Sequence, residues 1–181
     1  FFRTALFSML MATLPGVACS AGKGTSEFRL MRSTPLSTAV HVLDSGLAGP
    51  VALIIGGVHG DEPAGMAAAR RLAAGKPARG RMIVIPVANR LAAESEVRTP
   101  YYMQDLNRSF PGKKAGNDTE RLAASIMDLV ARYRPGIVVD LHEAGSAADP
   151  GWSEVANTLI LSEEGRAAEI ALTVLEAVNP V

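Results

Sequence analysis

The 181-residue chain has little cysteine, little histidine and few aromatic residues. Its one cysteine, Cys19, excludes an intrachain disulfide and a thiolate metal cluster. Lysine plus arginine and aspartate plus glutamate number 18 each, so the net charge gives no electrostatic reason to expect a nucleic-acid partner. Only 5% of residues are aromatic although 48% are hydrophobic, which indicates a core of valine, isoleucine, leucine and alanine. The length suits one domain or most of one.

The N-terminal residues have the pattern of an export signal. Arg3 precedes an apolar stretch that reaches Ala18, and the small residues that follow suit a signal-peptidase site. The stretch is short and contains Pro15, so we do not expect it to span a membrane. A lipid anchor at Cys19 is the alternative to cleavage, and a buried first helix is a third reading. We therefore expect an exported protein, periplasmic or extracellular, with a partial signal peptide at 1–21, a linker at 22–27 and one catalytic domain at 28–181.

Beyond the linker, strand and helix patterns alternate. The predicted strands cover residues 28–32, 38–43, 51–55, 82–87 and 137–141, and the predicted helices cover about 63–75, 118–133 and 163–178. Residues 89–117 form a long polar stretch without clear periodicity, which is typical of a functional loop. The order predicts an α/β fold, with a mixed, largely parallel central sheet and helices on both faces. Ligands bind such sheets beyond the carboxyl ends of the strands.

Two short strings lie at the ends of predicted strands. Gly-Gly-Val-His-Gly-Asp-Glu at 56–62 contains His59 and Glu62, and Asp-Leu-His at 140–142 adds His142. Two imidazoles and one carboxylate are a common ligand set for one catalytic zinc ion, with a position left for water. The alternative is that both are ordinary structural histidines. The chain has only three histidines, and the placement of two of them at strand ends favours the metal.

Three acidic neighbours of these ligands have less specific patterns. Asp61 is expected to cap the helix that follows, where the helix dipole favours carboxylates. Asp140 shares a strand face with His142, so its carboxylate lies near the metal or is satisfied by backbone N–H groups. Glu143 is a tempting general base, but it should project away from His142.

A third string, Asp-Leu-Asn-Arg-Ser-Phe-Pro-Gly at 105–112, lies in the long polar stretch. A guanidinium beside an amide, here Arg108 and Asn107, is well suited to hold a substrate carboxylate through bidentate and single hydrogen bonds. Alone, this pair is typical of a solvated loop. Together with the other two strings it becomes specific.

The three strings, in this order, resemble the succinylglutamate desuccinylase/aspartoacylase family of the wider zinc carboxypeptidase group. The resemblance runs from about residue 30 to the end. It implies a zinc carboxypeptidase-like fold and hydrolysis of an amide bond next to a carboxylate, as in the deacylation of N-acyl amino acids. The implied site comprises the zinc ligands His59, Glu62 and His142, Asp105 orienting the first ligand histidine, Asn107 and Arg108 binding the substrate carboxylate, and Arg98 polarising the scissile carbonyl.

One part of the family's pattern has no match in this chain. The family's catalytic glutamate lies well downstream of the last zinc ligand, whereas the glutamates after His142 fall on or near a predicted helix. We therefore expect the chain to be truncated at its C-terminal side, with that glutamate beyond Val181. Two alternatives to the deacylase remain open. One is an exported zinc carboxypeptidase acting on peptides, including cell-wall peptides, and the other is a non-catalytic protein that retains the pocket.

Overall fold

The sheet has five strands in the computed structural model, which describes residues 24–143, 168–170 and 173. These strands are β1 (Gly24–Leu30), β2 (Thr38–Asp44), β3 (Val51–Gly56), β4 (Arg81–Ile85) and β5 (Ile137–Leu141). They lie in the order β1-β2-β4-β3-β5. β2 is antiparallel to β1 and to β4, whereas β3 is parallel to β4 and to β5. The predicted mixed sheet is confirmed. The sequence strings at 56–62 and 140–142, which contain the predicted metal ligands, lie at the ends of the parallel strands β3 and β5.

Between residues 24 and 143 the structure has three α-helices, α1 (Pro63–Ala73), α2 (Arg90–Glu94) and α3 (Asp118–Tyr133). α1 and α3 were predicted. α2 and a 3₁₀ turn at Leu106–Arg108 lie within the stretch that was predicted as a loop. Both are shorter than two helical turns, so they give no readable period in the sequence.

Apolar residues alternate along β3 between two cores. Leu53 and Ile55 face the side of the sheet covered by α3, where they share a core with Leu122. Ile54 faces the other side and shares a smaller core with Ala69 of α1. Successive side chains of a strand point to opposite faces, so a continuous apolar run is buried only when both faces are covered. Helices on both faces of the sheet are thereby confirmed.

The N-terminus of α3 is fixed by a reciprocal pair of hydrogen bonds. Asn117 Oδ1 accepts the backbone N–H of Glu120 at 3.0 Å, and Glu120 Oε2 accepts the backbone N–H of Asn117 at 3.1 Å. This is the capping box that the spacing predicts. At the other end, Arg134 adopts a left-handed conformation with φ of 46° before Pro135. A proline cannot continue the helix.

Two boundaries differ from the sequence interpretation or cannot be compared with it. β1 begins at Gly24, so residues 24–27 of the predicted linker belong to a strand. The predicted signal peptide at 1–21 and Cys19 lie outside the described residues. Of the predicted helix at 163–178, residues 168–170 and 173 are described, and they are helical. Among all the described residues, no helix has the length and apolar character needed to cross a membrane.

Candidate metal centre

The three predicted ligands meet at the carboxyl ends of β3 and β5. Gly57 has a φ of 64°, a conformation that glycine adopts without strain, and it turns the chain out of β3 toward His59. Glu62 is the residue before the first turn of α1, and His142 follows β5 directly. His59 and Glu62 are 1% and 7% exposed. His142 is the more accessible ligand, with 31% of its side chain exposed.

The Glu62 carboxylate lies between the two imidazoles. Its Oε1 is 2.7 Å from His59 Nδ1, and its Oε2 is 2.7 Å from His142 Nδ1. The ring centroids of the two histidines are 4.9 Å apart. One ligand atom from each of the three residues lies within 4.8 Å of the other two. Side chains from two separate strand ends therefore converge on a space of the size that one metal ion needs.

The far side of each imidazole also faces a carboxylate. His59 Nε2 is 3.1 Å from Asp105 Oδ1, and His142 Nε2 is 3.0 Å from Asp140 Oδ2. Metal-ligating histidines usually donate their second ring N–H to such a group, which leaves the other nitrogen for the metal. The donor set of two nitrogens and one carboxylate therefore fits a zinc ion, both in ligand type and in the orientation of the rings.

The charges of these groups are strongly coupled. Burial raises the pKa of Glu62, but hydrogen bonds from His142 and His59 outweigh it and lower the pKa to about 2. Hydrogen bonds to Asp140 and then to Glu62 raise the pKa of His142 to about 10. A histidine must be neutral to ligate a metal, so a metal ion bound here would have to displace a proton from His142.

Arg98 lies beside the ligands. Its guanidinium is 3.7 Å from Glu62 Oε1 and 3.2 Å from Asp105 Oδ2, with 45% of the side chain exposed. Burial raises the pKa of Asp105, but the hydrogen bond and charge of His59 and the backbone N–H of Asn107 outweigh it and lower the pKa. The charge of Arg98 lowers it further. Arg98, which the family resemblance selected from the sequence, therefore lies beside the predicted metal ligands.

Asp105 also connects His59 to the predicted carboxylate-binding pair. Its Oδ1, which contacts His59, accepts the backbone N–H of Asn107 at 2.8 Å and so caps the 3₁₀ turn. Arg108 ends this turn and is exposed. Within the described part of the chain, no carboxylate lies within ion-pair distance of Arg108.

The start of α1 is capped differently from the sequence prediction. Asp61 was expected to cap α1, and this prediction is wrong. The residue at the cap position is Glu62, and its side chain makes no capping hydrogen bond. Instead, Glu143 Oε2 accepts the backbone N–H of Ala64 at 2.8 Å. This contact joins residues 79 apart, so local sequence contains no signal for it. Glu143 is thus engaged at the start of α1.

The family assignment follows from the sequence profile of the succinylglutamate desuccinylase/aspartoacylase catalytic domain, which matches residues 48–170. The chain belongs to this family. The matched range contains all three ligand positions, and the members of the succinylglutamate desuccinylase/aspartoacylase family are hydrolases. The family assignment confirms the resemblance drawn from the three strings.

Individual members of the family are similar to the chain over part of their length. The N-alpha-acetyl-L-2,4-diaminobutyric acid deacetylase of Halomonas elongata is 37% identical over 105 residues, which are 56% of this chain and 30% of that protein. The product-bound ectoine utilization protein EutE of Ruegeria pomeroyi superposes with a TM-score of 0.59 at 32% identity, covering 68% of this chain and 40% of that one. An aspartoacylase family protein of Mesorhizobium loti gives a TM-score of 0.60 at 35% identity, covering 67% and 41%. The structural matches confirm the zinc carboxypeptidase-like fold, and the chain spans less than half the length of each relative.

Proposed function

We propose that the protein is a zinc-dependent hydrolase that cleaves an amide bond next to a free carboxylate, of the N-acyl amino acid deacylase type. The observation that carries this proposal is the convergence of His59 Nδ1, Glu62 and His142 Nδ1 at the carboxyl edge of the sheet. Membership in a family of hydrolases supports it. The activity and its substrate remain proposals, because the chain matches only part of each relative.

The ligand set supports binding of one zinc ion. His59 and His142 would each coordinate through Nδ1, and Glu62 would supply a carboxylate oxygen. Bound zinc supplies Lewis acidity, which polarises a carbonyl oxygen and acidifies water at neutral pH.

The two arginines would bind different groups of the substrate, Arg98 the oxygen of the scissile carbonyl and Arg108 the free carboxylate. Arg98 can donate hydrogen bonds to the oxygen on which negative charge develops as the amide carbonyl is attacked. Arg108 can bind a carboxylate through two parallel N–H groups, with the Asn107 amide as a further donor. Asp105 contacts the backbone of Asn107 and the ring of His59, so it fixes the distance between the carboxylate clamp and the metal.

The substrate class is proposed from the relatives and from this clamp. The Halomonas elongata relative is a deacetylase of an N-acetylated amino acid, which carries the free carboxylate that Arg108 would hold. The small acyl group would then lie toward Arg98 and the metal. We also propose that the protein is exported, as the N-terminal sequence predicts, which places the substrate outside the cytoplasm.

A substrate panel tests the proposal. The full-length, zinc-loaded protein is assayed on N-acetyl and N-succinyl amino acids, on the corresponding amides that lack the free carboxylate, and on peptides with free C-termini. Release of amino acids from the N-acyl substrates, but not from the amides, is the expected result. Faster cleavage of the peptides would indicate the carboxypeptidase instead. Binding without turnover of any substrate would indicate a non-catalytic binding protein. Fractionation of cells that express the complete N-terminus tests export.

A further inference from the structure

Among the described residues, Asp140 is the one acidic side chain that lies within hydrogen-bond distance of a predicted ligand and for which the family resemblance supplies no role. It lies two residues before His142 on β5, so both side chains point to the same face of the sheet. Asp140 Oδ2 is 3.0 Å from His142 Nε2. The opposite ring nitrogen, Nδ1, is 2.7 Å from Glu62. The two ring nitrogens of His142 therefore face two different carboxylates.

A neutral imidazole has one N–H donor and one nitrogen lone pair, and its hydrogen bonds decide which nitrogen carries the proton. If Glu62 ligates a metal ion, Asp140 is the carboxylate left to accept a proton from the ring, so the proton would stay on Nε2 and the lone pair on Nδ1. The same arrangement is present at the other histidine, where Asp105 faces Nε2 of His59. The two ligand histidines thus have matching surroundings, although they come from separate strand ends.

We propose that Asp140 is a positioning residue for His142, which holds the imidazole in the tautomer and the ring orientation that present Nδ1 to the metal. This inference rests on the zinc site of the proposed function. It extends to the second histidine the orienting role that the family resemblance implies for Asp105 at the first. Contacts of this kind are worth about 10- to 100-fold in metal affinity.

The contacts of the two aspartates separate this role from general structural support. Asp105 also accepts the backbone N–H of Asn107 and pairs with Arg98, so its removal disturbs the loop as well as His59. Within the described residues, the carboxylate of Asp140 makes no hydrogen bond or ion pair with a side chain other than His142. It is about one-third exposed, with 32% of the side chain accessible. Substitution of Asp140 therefore tests the histidine contact with little loss of packing.

The first experiment measures zinc affinity by competition with a chromophoric chelator. Asp140→Ala removes the acceptor, Asp140→Asn keeps the shape and removes the charge, and Asp61→Asn is the control. Asp61 is exposed in the same loop as His59 and Glu62, so its substitution removes one negative charge near the site without touching an imidazole. We expect Asp140→Ala to weaken zinc binding by about 10- to 100-fold, Asp140→Asn by less, and Asp61→Asn to stay near wild type.

The second experiment reads the ring directly. Nitrogen-15 NMR of the zinc-loaded protein should show His142 protonated at Nε2 and zinc-bound at Nδ1, and Asp140→Ala should give a mixture of bound nitrogens. Wild-type affinity and tautomer in Asp140→Ala would overturn the proposal. The proposal would also be overturned if Asp61→Asn lost as much zinc affinity as Asp140→Asn, because the effect would then depend on charge alone. If Asp140→Ala does not fold, Asp140→Asn decides. Failure of the wild-type protein itself to bind zinc would refute the proposed function instead.

Discussion

His142 Nδ1 lies 2.7 Å from Oε2 of Glu62, although the two residues are 80 positions apart in sequence. This contact joins the start of α1 to the end of β5, and it lies within the candidate metal centre. Because β3 is parallel to β5, the loop that carries Glu62 and the residue that follows β5 emerge at the same edge of the sheet. The fold therefore places the ligands, and substitutions can separate their roles.

Arg108 is predicted to act in substrate binding. Arg108→Ala should raise KM for N-acyl amino acids by about 10- to 100-fold, since hydrogen bonds to a charged group are worth about 1.5–3 kcal/mol. The corresponding amides, which lack the carboxylate, should lose no further affinity. Arg121→Ala, a change at an exposed arginine of α3, serves as the control. An unchanged KM in Arg108→Ala would refute the carboxylate clamp.

Arg98 is predicted to act in the transition state. Loss of a donor to a developing oxyanion lowers kcat by about 100- to 1,000-fold, so Arg98→Gln should affect kcat far more than KM. Because Arg98 also lies 3.7 Å from Glu62, zinc content must be measured in the same samples. Loss of zinc together with kcat would assign Arg98 to support of the metal site rather than to the oxyanion.

Gly65 is predicted to be required for the close approach of α1 to β5. A Cβ at this position would lie 2.4 Å from the backbone oxygen of Leu141. Alanine normally stabilises a helix interior relative to glycine by about 1 kcal/mol, but here it must displace α1. Gly65→Ala should therefore reduce the free energy of unfolding, by about 1–3 kcal/mol, and weaken zinc binding.

A matched change on the same helix separates these effects. Ala68 is exposed on α1, so Ala68→Gly should cost about 1 kcal/mol through helix propensity and leave zinc binding intact. Urea unfolding and chelator competition measure the two quantities. A Gly65→Ala protein that is more stable than wild type would contradict the predicted contact.

The largely buried pair of Asp44 and Arg81 is predicted to make stability depend on acid pH. Asp44 accepts the backbone N–H of Gly46 and two N–H groups of Arg81, and both partners lower its pKa in the folded protein. The folded state thus binds this proton less readily than the unfolded state. The stabilisation is present in full above the unfolded pKa of about 3.9, and it is lost as the pH falls through the folded pKa.

Asp44→Asn should therefore be less stable than wild type at pH 7, and this difference should shrink at low pH. Urea unfolding at pH 7, 5 and 3 measures the change. Asp128→Asn, which breaks an exposed pair with Lys114, should have little effect at any pH. A difference between Asp44→Asn and wild type that is as large at pH 3 as at pH 7 would show that the ionised carboxylate is not responsible.

Much of the fold and most of the site could be predicted from the sequence. The apolar runs of β3 and β4 and the Asn117–Glu120 capping box are local signals, and each led to the element observed. The strings that contain His59, Glu62 and His142 could be identified because each follows an apolar strand. What was missed depends on contacts distant in sequence or on elements too short to show a period. Glu143 reaches the first turn of α1 across 79 residues, and α2 has only five residues.

Asp140 is an intermediate case. Strand alternation gave the direction of its side chain but did not identify its partner. The partner is His142 itself, whose Nε2 lies 3.0 Å from Asp140 Oδ2. Such a local arrangement depends on the strand end, which is in turn fixed by its pairing with β3.

Zinc dependence is tested most directly by metal analysis of the purified protein, combined with activity before and after chelation. We expect one zinc ion per chain, no zinc in His59→Ala, loss of N-acyl amino acid hydrolysis on chelation, and recovery when zinc is restored. A wild-type protein that binds no zinc, or that hydrolyses its substrate equally well after complete removal of the metal, would contradict this expectation.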